Sequence, residues 1–247
     1  MKLTNEVYLV GSGVKGFSLT DNFDCHVYLI DGGDELALLD TGAGYGIREI
    51  LENVERDGFS LDKLKYVLLT HGHADHAGGT KKLVDATGVK VCASELTAKY
   101  LENGDEDAIS LTAGKAGWFY PSDYKYEATK VDTIVKEGDT ISVGKLTLEV
   151  IETPGHSGDH ISYLMKTPEK TYFFAGDLIF YEGRVATQFI HDCNVYEIGK
   201  SIEKLKDKEI DVLLPGHDPF VLKNGQSHID RGRNYFKNTI IPPSIIY

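Results

Sequence analysis

The residues with the greatest capacity for chemistry lie in one short stretch, Thr70-His71-Gly72-His73-Ala74-Asp75-His76, which places three imidazoles and a carboxylate within six positions. Solvent decoration does not account for that density. Imidazole and carboxylate donors together suit Zn²⁺, with Fe or Mn as alternatives. Three further donors each follow a glycine after an apolar run: His156 in Glu152-Thr-Pro-Gly-His156, Asp177 in Phe174-Ala-Gly-Asp177, and His217 in Leu214-Pro-Gly-His217. A glycine bend at a strand end lets the next side chain project from the edge of a sheet, where layered α/β proteins collect site residues from distant parts of the chain. Singly, each of the three is equally well a turn residue; together with the cluster at 71–76 they read as metal ligands.

The elements that must position these donors are short apolar runs bounded by Gly, Asp or Pro. Strands are expected at 6–10, 27–30, 36–39, 66–69 and 89–93, and again at 133–135, 140–143, 146–151, 161–165, 172–175 and 212–214. Apolar positions 47, 50, 51 and 54 carry helical spacing, and further helices are expected at 79–87, 196–205 and 229–236. Strands followed by helices, twice over, give an α/β class. No linker or repeat divides the chain, so 1–247 reads as one domain. Residues 95–130, with an acidic run and the aromatics Trp118, Phe119, Tyr120, Tyr124 and Tyr126, read as a helical and aromatic insertion between two halves.

The HxHxDH at 71–76, followed by Gly-His, Gly-Asp and a last Gly-His, resembles the metallo-β-lactamase superfamily, and the resemblance runs from about Val7 to about His228. Leu38-Leu39-Asp40-Thr41-Gly42 is similar to the LIDTG turn whose Asp supports the metal site in that family. The resemblance implies an αββα sandwich of two pseudo-symmetric halves with the site at one edge. It also implies a binuclear hydrolase: His71, His73 and His156 on one divalent ion, Asp75, His76 and His217 on a second, and Asp177 bridging them. A hydroxide between the two ions would be the nucleophile, with Asp75 as the catalytic carboxylate that accepts its hydrogen bond and helps pass the proton on.

Within the superfamily the complete ligand set departs from β-lactamases, which replace His76 or His71 or lack the carboxylate at 177. The stretch Thr153-Pro-Gly-His156-Ser-Gly-Asp-His160 and Gly216-His217-Asp218 resemble acyl-homoserine lactonases, while Gly176-Asp177-Leu-Ile-Phe180-Tyr-Glu-Gly183-Arg184 approaches the glyoxalase II pattern without its Cys-Gly. The expected substrate is therefore a small ester-like bond, lactone or thioester. A mononuclear iron persulfide dioxygenase-like oxidoreductase, a phosphodiesterase and a non-catalytic metal-binding protein are the competing classes.

Around the ligands, Tyr181 is a candidate hydrogen-bond donor to a developing oxyanion. His160 is a candidate for orienting ligands or contacting substrate, and Arg184 for clamping a substrate carboxylate. His26 and His228 join no motif and read as structural. The aromatic segment 118–126 reads either as a lid over an acyl-binding groove or as packing, including a contact in a homodimer. Acidic residues outnumber basic ones 38 to 26, for a net charge of −12, which disfavours nucleic-acid and anionic-membrane partners. Three scattered cysteines, and the lack of any apolar run of membrane-spanning or signal-peptide length, lead to the expectation of a cytoplasmic enzyme.

Overall fold

A computed structural model describes residues 1–246 and divides the chain into two compact units, Met1–Val135 and Lys136–Tyr247. Each unit is a mixed sheet with helices, so the α/β class read from the sequence is the one observed.

In the first unit, β1 (Val7–Gly11), β2 (Val27–Asp31) and β3 (Leu36–Leu39) form an antiparallel meander. The sheet then continues in parallel through β4 (Leu64–Leu68), β5 (Lys90–Ala93) and the two-residue β6 (Thr133–Ile134). Strands β1 to β3 are buried almost throughout, which is why they read as continuous apolar runs rather than alternating ones. Helix α1 (Ile47–Arg56) buries Ile47, Ile50 and Val54 on one face, as their spacing demands, and its buried Asn53 donates to the carbonyl of Val10. One-turn α2 (Ala74–Ala77), α3 (Thr80–Thr87), α4 (Glu95–Asn103) and α5 (Leu111–Ala116) complete the unit. Helix α4 is capped by Ser94, whose hydroxyl accepts from the N–H of Thr97.

The 95–130 segment does not stand between two halves. It is the crossover from β5 to β6 in the first sheet, with Cys92 opposite Thr133, because the short run at 133–134 pairs with β5 rather than opening the second sheet.

In the second unit the sheet order is β11-β10-β9-β8-β7, built from β7 (Thr140–Val143), β8 (Leu146–Glu152), β9 (Ile161–Lys166), β10 (Thr171–Gly176) and β11 (Val212–Pro215). Neighbours are antiparallel except β10 and β11, which run parallel. Strands β8, β10 and β11 therefore share one direction, and their C-terminal ends lie along one edge of the sheet. Helices α6 (Val195–Glu203) and α7 (Gly225–Lys237) bury Ile198, Ile202 and Ile229 in a cluster with Phe173, Ala175 and Leu213. Asn194 caps α6 by accepting from the N–H groups of Tyr196 and Glu197. Among the described residues no helix is long and apolar enough to cross a membrane.

Candidate metal centre

In the first unit, β3 and β4 run parallel, so Asp40 and the 70–76 segment emerge from the same edge of the sheet. The chain leaves β4, passes Thr70 to His73, and winds once through α2, whose buried Ala74 and Ala77 face the core while Asp75 and His76 are carried on the same turn. The His71 ring centroid lies 4.6 Å from that of His73 and 4.2 Å from that of His76. His71 and His76 are fully buried and His73 nearly so, whereas the Asp75 side chain is 24% exposed and its Oδ2 lies 3.9 Å from His76 Nε2.

The hydrogen bonds behind these rings set their tautomers. His76 Nδ1 is 2.9 Å from Asp40 Oδ2, so the carboxylate accepts the Nδ1 proton and the Nε2 lone pair is left for a ligand. The Thr70 hydroxyl donates to Asp40, 2.9 Å from Oδ2, and so accepts at 3.0 Å from His71 Nδ1, with the same consequence at His71 Nε2. The Thr70 N–H adds a third bond to Asp40 Oδ1. Asp40 reaches these partners from a left-handed backbone conformation, φ 59°.

Cys25, behind His76, offers no alternative nucleophile: burial pushes its thiol up to about 12 despite the opposing influence of His76.

In the second unit, the same-sense strands β8, β10 and β11 deliver His156, Asp177 and His217 just beyond their C-terminal ends, and all three side chains are buried. Asp177 Oδ2 lies 3.5 Å from His156 Nε2 and 3.6 Å from His217 Nε2. Two donors bound at about 2.1 Å to one tetrahedral ion sit about 3.4 Å apart, so each His–Asp pair has the separation of ligands on a shared ion, with the carboxylate oxygen common to both. His156 Nδ1 donates at 3.0 Å to the Ala186 carbonyl, which again leaves Nε2 as the ligand atom. Donor chemistry, tautomers and spacing within each unit fit a zinc-type centre.

Gly155 makes the approach to His156. Its φ is 145°, and a Cβ there would lie 2.4 Å from the backbone nitrogen of Ile198 in α6.

The sequence profile of the metallo-beta-lactamase superfamily matches residues 20–217. The chain belongs to this superfamily. Over 162 residues it is 31% identical to a hydroxyacylglutathione hydrolase of Erythrobacter litoralis, covering 66% of this chain and 50% of that one. It is 27% identical over 199 residues to a beta-lactamase-like protein 2 homolog of Caenorhabditis elegans, covering 80% of this chain and 57% of the relative. The chain thus spans about half the length of these curated relatives. A solved metallo-beta-lactamase of Cronobacter sakazakii with a HARLDQ motif superposes with a TM-score of 0.76 at 21% identity, covering 97% of this chain and 96% of its own, which shows the fold.

The remaining candidates of this superfamily member are distributed as follows. Both ring nitrogens of His160 are engaged inside the second unit: Nε2 accepts the backbone N–H of Asp177 at 3.0 Å, and Nδ1 donates to Thr153 Oγ1 at 2.9 Å. These bonds hold His160 directly against the backbone of Asp177. The Arg184 guanidinium donates to Asp218 Oδ2 and to the Ser244 carbonyl, tying the loop after Asp177 to the neighbour of His217. Tyr181 opens a 3₁₀ turn, is partly exposed, and rests against the His228 ring at 4.8 Å. His26 and His228 hydrogen-bond to Ser12 Oγ and the Glu182 N–H respectively.

Sequence reasoning missed two supports. Thr70 had a signal, a hydroxyl residue directly ahead of the ligand run at the end of a stiff strand. The Ala186 carbonyl had none. The role of the aromatic segment emerges only in three dimensions: Tyr124 and Tyr126 are core residues, whereas Trp118 is 93% and Phe119 69% exposed.

Proposed function

We propose that this chain is a metal-dependent hydrolase whose seven donors, His71, His73, Asp75, His76, His156, Asp177 and His217, hold two divalent ions, zinc first among them, and that it cleaves a lactone or thioester of a small-molecule substrate. The observation that carries the reading is the single Asp177 oxygen lying 3.5 and 3.6 Å from two imidazole Nε2 atoms, a spacing that supports a carboxylate serving as a ligand beside both histidines. Thioester cleavage gains support from the hydroxyacylglutathione hydrolases among the relatives. When bound, the ions supply Lewis acidity at the substrate carbonyl and make water a nucleophile near neutral pH.

The protein residues do the rest. Asp75 is the most exposed of the seven donors, so its carboxylate accepts the proton of the attacking water and passes it to the leaving oxygen or sulfur. Asp177, held from behind by His160, fixes the spacing of His156 and His217. Tyr181, an exposed residue four positions beyond Asp177, is the candidate donor to the oxyanion.

The test joins metal quantification to turnover. Protein purified without chelator is assayed for metal and against lactones, thioesters, phosphodiesters and β-lactams, with Asp75→Ala alongside. About two transition-metal ions per chain, with lactone or thioester turnover that falls at least about 100-fold in Asp75→Ala, is the expected result. A single iron with oxygen consumption on a persulfide, or bound metal with no turnover on any panel member, overturns it.

A further inference from the structure

The donors of the second unit depend on a segment that the proposed function leaves out. His156 Nδ1 donates to the Ala186 carbonyl at 3.0 Å, so whatever fixes Ala186 fixes the ring that presents Nε2. Ala186 belongs to no helix or strand. Its place is set by residues 243–246, which lie alongside 184–187.

The two segments run parallel, with Ser244 bridged to Val185. The Val185 N–H donates to the Pro243 carbonyl at 3.1 Å, and the Ile245 N–H donates back to the Val185 carbonyl at 2.9 Å. Ser244 then secures the next residue but one. Its hydroxyl accepts the Thr187 N–H at 3.3 Å, donates to the Thr187 carbonyl at 3.4 Å and accepts the Ile246 N–H at 3.0 Å. Ala186 is thus held through both of its chain neighbours. Its side chain is buried in a cluster with Phe180 and Ile245. Arg184 extends the clasp to another donor, giving one N–H to the Ser244 carbonyl at 3.0 Å and another to Asp218, beside His217, at 2.9 Å. Proline at 242 and 243 restricts the approach to extended backbone, so little conformational freedom is lost on docking.

We propose that the 243–246 segment is a strap for the metal centre and that Ser244 is its positioning residue, setting the Ala186 carbonyl and through it the tautomer and orientation of His156. The inference rests on the reading of His156 as a metal ligand. Loss of the partner behind a ligating histidine costs about 10- to 100-fold in metal affinity. Ser244 acts one residue removed from that partner, so the lower figure applies.

The experiment compares the full-length wild type with Ser244→Ala, Ser244→Thr and Thr167→Ala. Thr167, in the turn between β9 and β10 at the far end of β10 from Asp177, is a matched control: its hydroxyl also accepts two backbone N–H groups and donates to one carbonyl. Metal-free protein carrying isotope-labelled histidine is examined by NMR with the imidazoles neutral, His156 being assigned by its loss in His156→Gln. Each variant is also titrated with Zn²⁺ against a chromophoric chelator. In the wild type His156 should be protonated at Nδ1 alone. Ser244→Ala should show exchange between the two tautomers and about tenfold weaker binding at one Zn²⁺ step, Ser244→Thr should restore both, and Thr167→Ala should alter neither. An unchanged His156 tautomer in Ser244→Ala, or an equal loss of Zn²⁺ affinity in Thr167→Ala, overturns the proposal. Should Ser244→Ala not fold, Ser244→Cys, which weakens the same hydrogen bonds, takes its place. A wild type that binds no second ion sinks the proposed function, and the tautomer in the metal-free protein then decides the strap.

Discussion

Thr70→Val tests the hydrogen-bond hub behind the first donor set. The substitution is close to isosteric at a fully buried site, so packing is preserved and only the hydroxyl is lost. Two interactions go with it: donation to the Asp40 carboxylate, 2.9 Å from Oδ2, and acceptance from His71 Nδ1 at 3.0 Å. A hydrogen bond to a charged group contributes about 1.5–3 kcal/mol, and a buried donor left facing a methyl group costs about 1–3 kcal/mol. Because one hydroxyl makes both bonds the terms overlap, and about 3 kcal/mol is expected, a fall in Tm of roughly 6–12 °C for a chain of this size. The same change frees the His71 ring to exchange tautomers, so Zn²⁺ affinity should fall about 10- to 100-fold. Thermal melting of the metal-free protein and chelator-competition titration read the two effects separately. Thr70→Ser restores the hydroxyl and should restore both. If Val and Ser variants melt within about 2 °C of each other and bind Zn²⁺ alike, the hub as described is wrong.

Three further outcomes are expected. Gly155→Ala forces a Cβ against the Ile198 nitrogen at a φ of 145°, so it should destabilise by well over about 1 kcal/mol in urea melts, with Gly158→Ala, which meets nothing within 4 Å, as the silent control. Asp24, whose carboxyl burial pushes up to about 6 against the pull of its Thr20 and Ala43 hydrogen bonds, binds its proton more tightly folded than unfolded. Its contribution to stability therefore falls as pH rises from about 4 to about 6 and is level above that, and Asp24→Asn should gain roughly 2 kcal/mol on wild type between pH 4 and 7; a pH-independent difference contradicts the assignment. Trp118→Ala, at a side chain 93% exposed, should leave Tm and metal content unchanged while shifting preference across a lactone and thioester panel; unchanged kinetics would remove the lid.

The strand-end donors were legible because each stands directly after an apolar run and a glycine, a local pattern that a sheet converts into a common edge. His156, Asp177 and His217 needed no contact information to be found, and most strand bounds fall within two residues of those observed. Elements stabilised by packing alone were not legible. Helix α2 spans four residues and carries no pattern of its own, and α7 starts at Gly225, ahead of the apolar residues that mark it at 229. The crossover at 95–130 read as an insertion between two halves because β6 is two exposed residues with no alternation to assign it to the first sheet. Tyr120 and Tyr124 look alike in sequence, and only their neighbours separate a ring stacked on Phe23 from one whose hydroxyl donates to the Ala43 carbonyl in the core.

The common sense of β8, β10 and β11 has a consequence for folding quality control. Each residue of strand advances its chain by about 3.3 Å, so a two-residue slip of any one strand keeps its side chains on the proper face yet carries its terminal donor nearly 7 Å away. Hydrophobic burial alone tolerates that error. The 3.5 and 3.6 Å spacings around Asp177 do not. Under the proposed metal-dependent reading, ion loading would serve as a register gauge, and the fraction of chains that load would count those whose strands are aligned to within a single residue.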